Sequence, residues 1–85
     1  MKPRLLRVKV EVRLKPGVLD PQGQTVRQAL EALGFKGIAE VRIGKLIEVW
    51  FNGKDRRTLE KEIKEMSEKV LVNPLIETFD VEVGR

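Results

Sequence analysis

The stretch Leu6-Arg7-Val8-Lys9-Val10-Glu11-Val12-Arg13-Leu14 runs directly into Lys15-Pro16-Gly17-Val18-Leu19-Asp20-Pro21-Gln22-Gly23, and this junction decides how the chain is read. Apolar residues at 6, 8, 10, 12 and 14 alternate with polar ones. Period 2 over nine positions predicts a strand with one buried face. The ten residues 14–23 then do more than turn the chain. Pro16 and Pro21 fix φ, and Gly17 and Gly23 can take backbone angles that other residues avoid. Asp20 is placed as an N-cap, with Pro21 at the first helical position. The apolar pair Val18-Leu19 exceeds what a turn requires. A loop so constrained is either a structural staple or a docking surface held on a rigid scaffold.

Beyond the junction, Val26, Ala29, Leu30 and Leu33 recur at helical spacing, which predicts a helix with one core-facing stripe, and Gly34 is placed to stop that helix. Ala39, Val41 and Ile43 alternate with Glu40 and Arg42, which predicts a second strand. Residues 46–51 predict a third. Two registers are open for the hairpin joining them. A two-residue Gly44-Lys45 turn places Ile43 opposite Leu46. A longer loop instead aligns Ile43 with Ile47, Val41 with Val49 and Arg42 with Glu48. The apolar pairings favour the longer loop. In either register Trp50 falls on the face opposite Val49 and Phe51, covered by a partner or by the chain's own terminus.

The run Asn52-Gly53-Lys54-Asp55 reads as a turn ending in a second N-cap. Leu59, Ile63, Met66 and Val70 form the stripe of a second helix, supported by the i,i+4 pairs Glu60–Lys64 and Glu65–Lys69. Val72-Asn73-Pro74 ends it. Phe79, Val81 and Val83 alternate as the last strand. The order strand–helix–strand–strand–helix–strand predicts a two-layer α+β domain of βαββαβ type. This is a ferredoxin-like antiparallel sheet with two helices on one face.

Eighty-five residues make one domain, and a core of that size is marginal without reinforcement. The chain has neither Cys nor His, which excludes disulfides and makes zinc or iron–sulfur ligation untenable. Self-association is the reinforcement left. No apolar run nears the roughly 20 residues of a membrane span, and Arg4 and Arg7 interrupt any signal-like core. A soluble, cytoplasmic protein is expected. The formal charge is +4, with Lys2, Arg4, Arg7, Lys9, Arg13 and Lys15 crowding the start. These form either a phosphate-binding or acidic-partner patch or the solvated face of a strand.

Catalytic chemistry finds little support in these residues. Without Cys or His there is no thiol nucleophile and no His-activated serine; the single serine, Ser67, falls within a helix. Glu40, Glu48, Asp80 and Glu82 read as solvent-facing strand positions. No P-loop and no dinucleotide fingerprint is present. The third strand, Leu46-Ile47-Glu48-Val49-Trp50-Phe51, lacks the aromatic run with which such folds stack RNA bases. A compact domain without reactive groups is expected to bind something.

Three stretches resemble one family. Residues 14–23 look like the signature of PurS, the small subunit of phosphoribosylformylglycinamidine synthase (formylglycinamide ribonucleotide amidotransferase). Val41-Arg42-Ile43-Gly44-Lys45 resembles the family's second-strand motif, and Val72-Asn73-Pro74-Leu75-Ile76-Glu77 resembles its approach to the last strand. The resemblance covers residues 1–85 as a single domain. Met66 and Phe79 stand where the family often has Cys and Tyr. The resemblance implies a non-catalytic subunit of an ATP-dependent, glutamine-hydrolysing ligase of purine biosynthesis. Such a subunit self-associates as a dimer or tetramer, bridges the large synthetase subunit PurL and the glutaminase subunit PurQ, and helps ammonia pass between them. ATP and Mg are implied on the large subunit and no cofactor, nucleic acid or membrane on this one. Carried onto this sequence, the motifs nominate Lys15, Gly17, Asp20, Gln22, Gly23, Arg42, Lys45, Asn73 and Glu77 as partner-contact residues. No catalytic, cofactor or metal residue is nominated. The competing readings are turn geometry and capping for Gly17, Asp20 and Gly23, a cross-strand pair with Glu48 for Arg42, a cap before Pro74 for Asn73, and plain solvated positions for Lys45 and Glu77. A small-ligand regulatory module on the same fold and a nucleic-acid binder are the alternative functions.

Overall fold

The structure is a computed structural model that describes residues 5–53 and 55–84. Lys2, Arg4 and Lys54, which figured in the basic cluster and the second turn, lie outside the described residues. The elements are β1 (Leu5–Leu14), α1 (Pro21–Ala32), β2 (Lys45–Asn52), α2 (Arg56–Met66), a π-helical turn (Ser67–Leu71) and β3 (Glu77–Gly84). The three strands form an antiparallel sheet in the order β2-β1-β3. Val8 is paired with Val49 on one side and Val83 on the other, and Val10 with Ile47 and Val81.

The alternation expected of β1 is realised. Val8, Val10 and Val12 are buried, while Lys9, Glu11 and Arg13 point to the opposite face. Leu59 and Ile63 of α2 lie on the apolar face, and Phe51 and Val72 complete the core. Asp55 caps α2 by accepting from the Thr58 N–H at 2.8 Å. The α+β class and the ferredoxin-like arrangement of sheet and helices hold.

The expected strand 39–43 forms no regular element and joins no ladder, so the sheet has three strands rather than four. Both hairpin registers lapse with it, because β2 pairs with β1 alone. Arg42 therefore does not oppose Glu48. Glu48 pairs instead with Arg7 at 3.4 Å, and Arg7 also lies 5.6 Å from the centroid of the Trp50 ring. Trp50 is on the outer sheet face, as its parity required, and is 55% exposed. Val70 also departs from expectation and is exposed. The five-residue π turn is wider than an α turn and shifts the helical phase, so Ser67 and Val72 turn inward where the α-helical stripe placed Val70. The Glu65–Lys69 pair forms at 3.8 Å, whereas the Glu60 carboxylate meets Arg56 at 3.3 Å.

The core-facing stripe expected of α1 is not realised: no described α1 side chain enters the core cluster. α1 and the return chain 35–43, which has no regular secondary structure, form an arm that leaves the sheet at its Leu14/Lys45 end. Val26, Leu33 and Phe35 on this arm are exposed. The molecule is correspondingly long, 53 × 31 × 16 Å, with a radius of gyration of 16.9 Å. A compact chain of this length has a radius of gyration of about 12 Å. The accessible surface is 6835 Å². A compact monomer of this mass exposes about 5,100 Å². The excess is about 1,700 Å² by that scaling.

Candidate functional site: the root of the arm

All nine nominated residues lie at one end of the sheet, where β1 leaves, β2 enters and β3 begins. Asp20 is the centre of the group and is 5% exposed. One carboxylate oxygen, Oδ1, accepts from the Gly23 N–H at 2.8 Å and caps α1. The other, Oδ2, accepts from the Ile43 N–H at 2.7 Å. One side chain thus closes the first turn of α1 and holds the chain returning from the arm's far end. The Ile43 and Gly23 N–H groups, in that order, hold the Asp20 carboxyl below its ordinary value of 3.8; the Arg42 charge adds to this and desolvation opposes it.

Arg42 closes the root from the other side. Its Nη1 donates to the Val18 carbonyl at 2.9 Å and its Nη2 to the Lys15 carbonyl at 3.1 Å. The planar fork thereby spans the 15–18 turn, in which Gly17 takes a φ of +89°. Gly23 is required by contact: a Cβ there would lie 2.0 Å from the Val41 carbonyl oxygen, so the return chain crosses α1 at backbone distance. Farther out, Arg27 Nε donates to the Ile38 carbonyl at 3.1 Å and ties helix to return chain a second time.

A second cluster joins β2 to β3. Lys45 pairs with Glu77 at 3.6 Å. Glu77 Oε1 accepts from the Asn73 N–H at 2.7 Å, and Asn73 Oδ1 accepts from the Leu75 N–H at 3.1 Å. The Lys15 N–H donates to the Ile76 carbonyl at 2.8 Å, which links this cluster to the first loop. Between the clusters lies a cleft of about 440 Å³, lined by Leu14, Leu19, Gln22, Ile43 and Ile76 among others. Gln22 is exposed at its rim.

Side chains and backbone thus combine two kinds of residue here. Asp20 and Gly23 are buried and serve geometry, whereas Gln22, Arg42, Lys45 and Asn73 reach the surface. Sequence reasoning missed Ser67, which is fully buried with a hydroxyl that has no hydrogen-bond partner, and Val72. Nothing in the local pattern marks a π turn, so neither carried a signal. Among the described residues no group of three Asp or Glu side chains is placed to hold a metal ion.

The described residues thus form a three-stranded α+β unit with a large uncovered arm, braced at its root by carboxylate and guanidinium. Comparison with known proteins makes this specific. Residues 7–85 match PurS: Phosphoribosylformylglycinamidine (FGAM) synthase. The chain is 44% identical over 79 residues to the synthase subunit PurS of Bacillus subtilis, covering 93% of each. It is 37% identical over 76 residues to that of Methanocaldococcus jannaschii, covering 89% of this chain and 92% of the relative. The structure of PurLQS from Thermotoga maritima contains a chain that superposes with a TM-score of 0.83 at 25% identity, covering 94% of this chain and 98% of that one. The chain belongs to the PurS family.

Proposed function

We propose that this chain is the non-catalytic assembly subunit of phosphoribosylformylglycinamidine synthase in purine biosynthesis. The ligase activity resides in the complex. The chain joins the ATP-dependent synthetase subunit to the glutaminase subunit and holds them in the geometry in which ammonia released by one reaches the other. ATP and its magnesium belong on the large subunit. The cytoplasm is the compartment, in keeping with a soluble biosynthetic complex; no described helix is long and apolar enough to cross a membrane.

The observation that carries this reading is the uncovered arm on a chain of this family. An apolar stripe of Val26, Leu30 and Leu33, continued by Phe35, has no counterpart within the described protomer. A second copy is the partner that fits it. If the excess surface is what a dimer buries, two chains together would bury about 3,400 Å², within the 2,000–5,000 Å² of obligate homodimers. The same chain also offers an apolar groove of about 360 Å³ beside α2, floored by Phe79, Val81 and Val83. The stripe of one copy seats in the groove of the other, and the pair then presents two sets of arm-root residues to the larger subunits.

Reconstitution tests the reading. The synthetase and glutaminase subunits are assayed for glutamine-dependent product formation with and without this chain. Adding it should restore a rate that neither subunit alone nor this chain alone supports. Full glutamine-dependent turnover without it would reject the proposal.

A further inference from the structure

The residues that resemble the family's motifs do not form one exposed patch; the most constrained of them bind one another. Asp20 Oδ2 holds the Ile43 N–H at 2.7 Å, and Arg42 holds the Val18 and Lys15 carbonyls at 2.9 and 3.1 Å. These contacts join the two chain segments by which the arm is attached, 14–20 going out and 41–45 coming back. They touch neither Leu59 nor Ile63, which with the β1 valines form the centre of the core. We infer that the Asp20–Arg42 clasp is a positioning device: it sets the angle at which the arm leaves the sheet, and so the affinity with which two copies associate. The inference rests on the self-association reading above.

Lever geometry supplies the physical reason. α1 has 12 residues. At 1.5 Å per residue it is about 18 Å long, so a swing of about 10° at the root carries its tip about 3 Å. Apolar surfaces interdigitate at crystal-like density, and a misplacement of that size removes the stripe from its seat. Two segments held only by the covalent chain would sample many such angles. Tying them to each other removes that freedom before association and lowers the entropy lost on docking. The tie is built for stiffness. Arg42 contributes a planar fork with both Nη atoms bonded to the outgoing segment, and Asp20 has one oxygen on the first turn of α1 and the other on the return segment. Gly23 completes it by letting the return chain lie directly against α1.

The full-length chain is examined by sedimentation equilibrium as wild type, Arg42→Ala, Arg42→Lys and Asp20→Asn. Hydrogen exchange at the Val8 and Val10 amides reports on the sheet in each. Arg42→Ala is the primary variant, because the two carbonyls it releases are exposed and can take water. The expected result is a wild-type dimer at micromolar concentration and a dissociation constant raised at least tenfold in Arg42→Ala and Asp20→Asn. Sheet protection at matched dissociation should be unchanged. Arg42→Lys, which keeps the charge but not the planar fork that spans both carbonyls, should fall between. If the wild type dimerises and Arg42→Ala dimerises equally well, the clasp is not the positioning device and the self-association reading stands. If the wild type is monomeric and folded under these conditions, that reading falls and takes the inference with it.

Discussion

Replacing Gly23 by alanine sets two effects against each other, and the structure says which wins. Gly23 is the third residue of α1, where alanine is favoured over glycine by about 1 kcal/mol on helix propensity alone. By that reasoning Gly23→Ala stabilises. The added Cβ, however, lies 2.0 Å from the Val41 oxygen, 2.9 Å from the Val41 carbonyl carbon and 3.0 Å from Asp20 Cγ. Two of these atoms are backbone and cannot rotate away. Relief requires the return chain to move by roughly 1 Å, and the Ile43 N–H is two residues farther along it. Overpacking of this kind costs about 1–3 kcal/mol, and a clash with backbone belongs at the upper end. The net loss is about 2 kcal/mol, or about 8–16 °C in melting temperature for a domain of this size. Thermal denaturation at fixed protein concentration measures it, because association makes the midpoint concentration-dependent. An unchanged or raised melting temperature would refute the close approach of α1 and the return chain.

Two further outcomes follow from the structure. Val72→Thr, which places a hydroxyl in the core, should cost about 1–3 kcal/mol in urea denaturation, whereas Val70→Thr should stay within about 0.5 kcal/mol of wild type. The reverse order would restore the uninterrupted α-helical phase and abolish the π turn. Acid should loosen the fold through its two capping carboxylates. Asp20 is held below 3.8 first by the Ile43 N–H, and Asp55 by the Thr58 N–H. A carboxyl with a lowered folded value stabilises fully above its unfolded value, and that contribution is lost as pH falls below about 4 through the folded value. Urea midpoints measured from pH 6 to pH 3 should therefore drop at the acid end. The drop should be shallower in Asp20→Asn/Asp55→Asn; an identical acid limb would refute the assignment.

Much was legible in the linear pattern because the responsible forces are local. The alternation of β1, the helical spans of α1 and α2, the start of the α2 stripe and both aspartate caps depend on residues within a turn or two of each other, and each stands where the pattern placed it; the α1 stripe forms at its spacing but does not face the core. The motif residues were also legible as a set, and they gather at one end of the sheet. Their individual roles were not. Asp20 reads as a helix cap from its neighbours, but its second oxygen serves an N–H 23 positions away, and Arg42 reaches 24 and 27 positions back.

By itself the sequence determined the class of domain, the lack of Cys and His chemistry, and a polar–apolar alternation at 39–43 that demands one covered face. Only the tertiary structure decided that this face is not covered by the chain's own sheet. Periodicity records that a side must be buried and says nothing of which chain buries it. The π turn likewise became visible only once α2 was seated, since packing against the sheet chose Val72 over Val70. Short-range geometry is written in spacing, whereas the direction of the arm is set by hydrogen bonds between residues more than twenty positions apart in sequence.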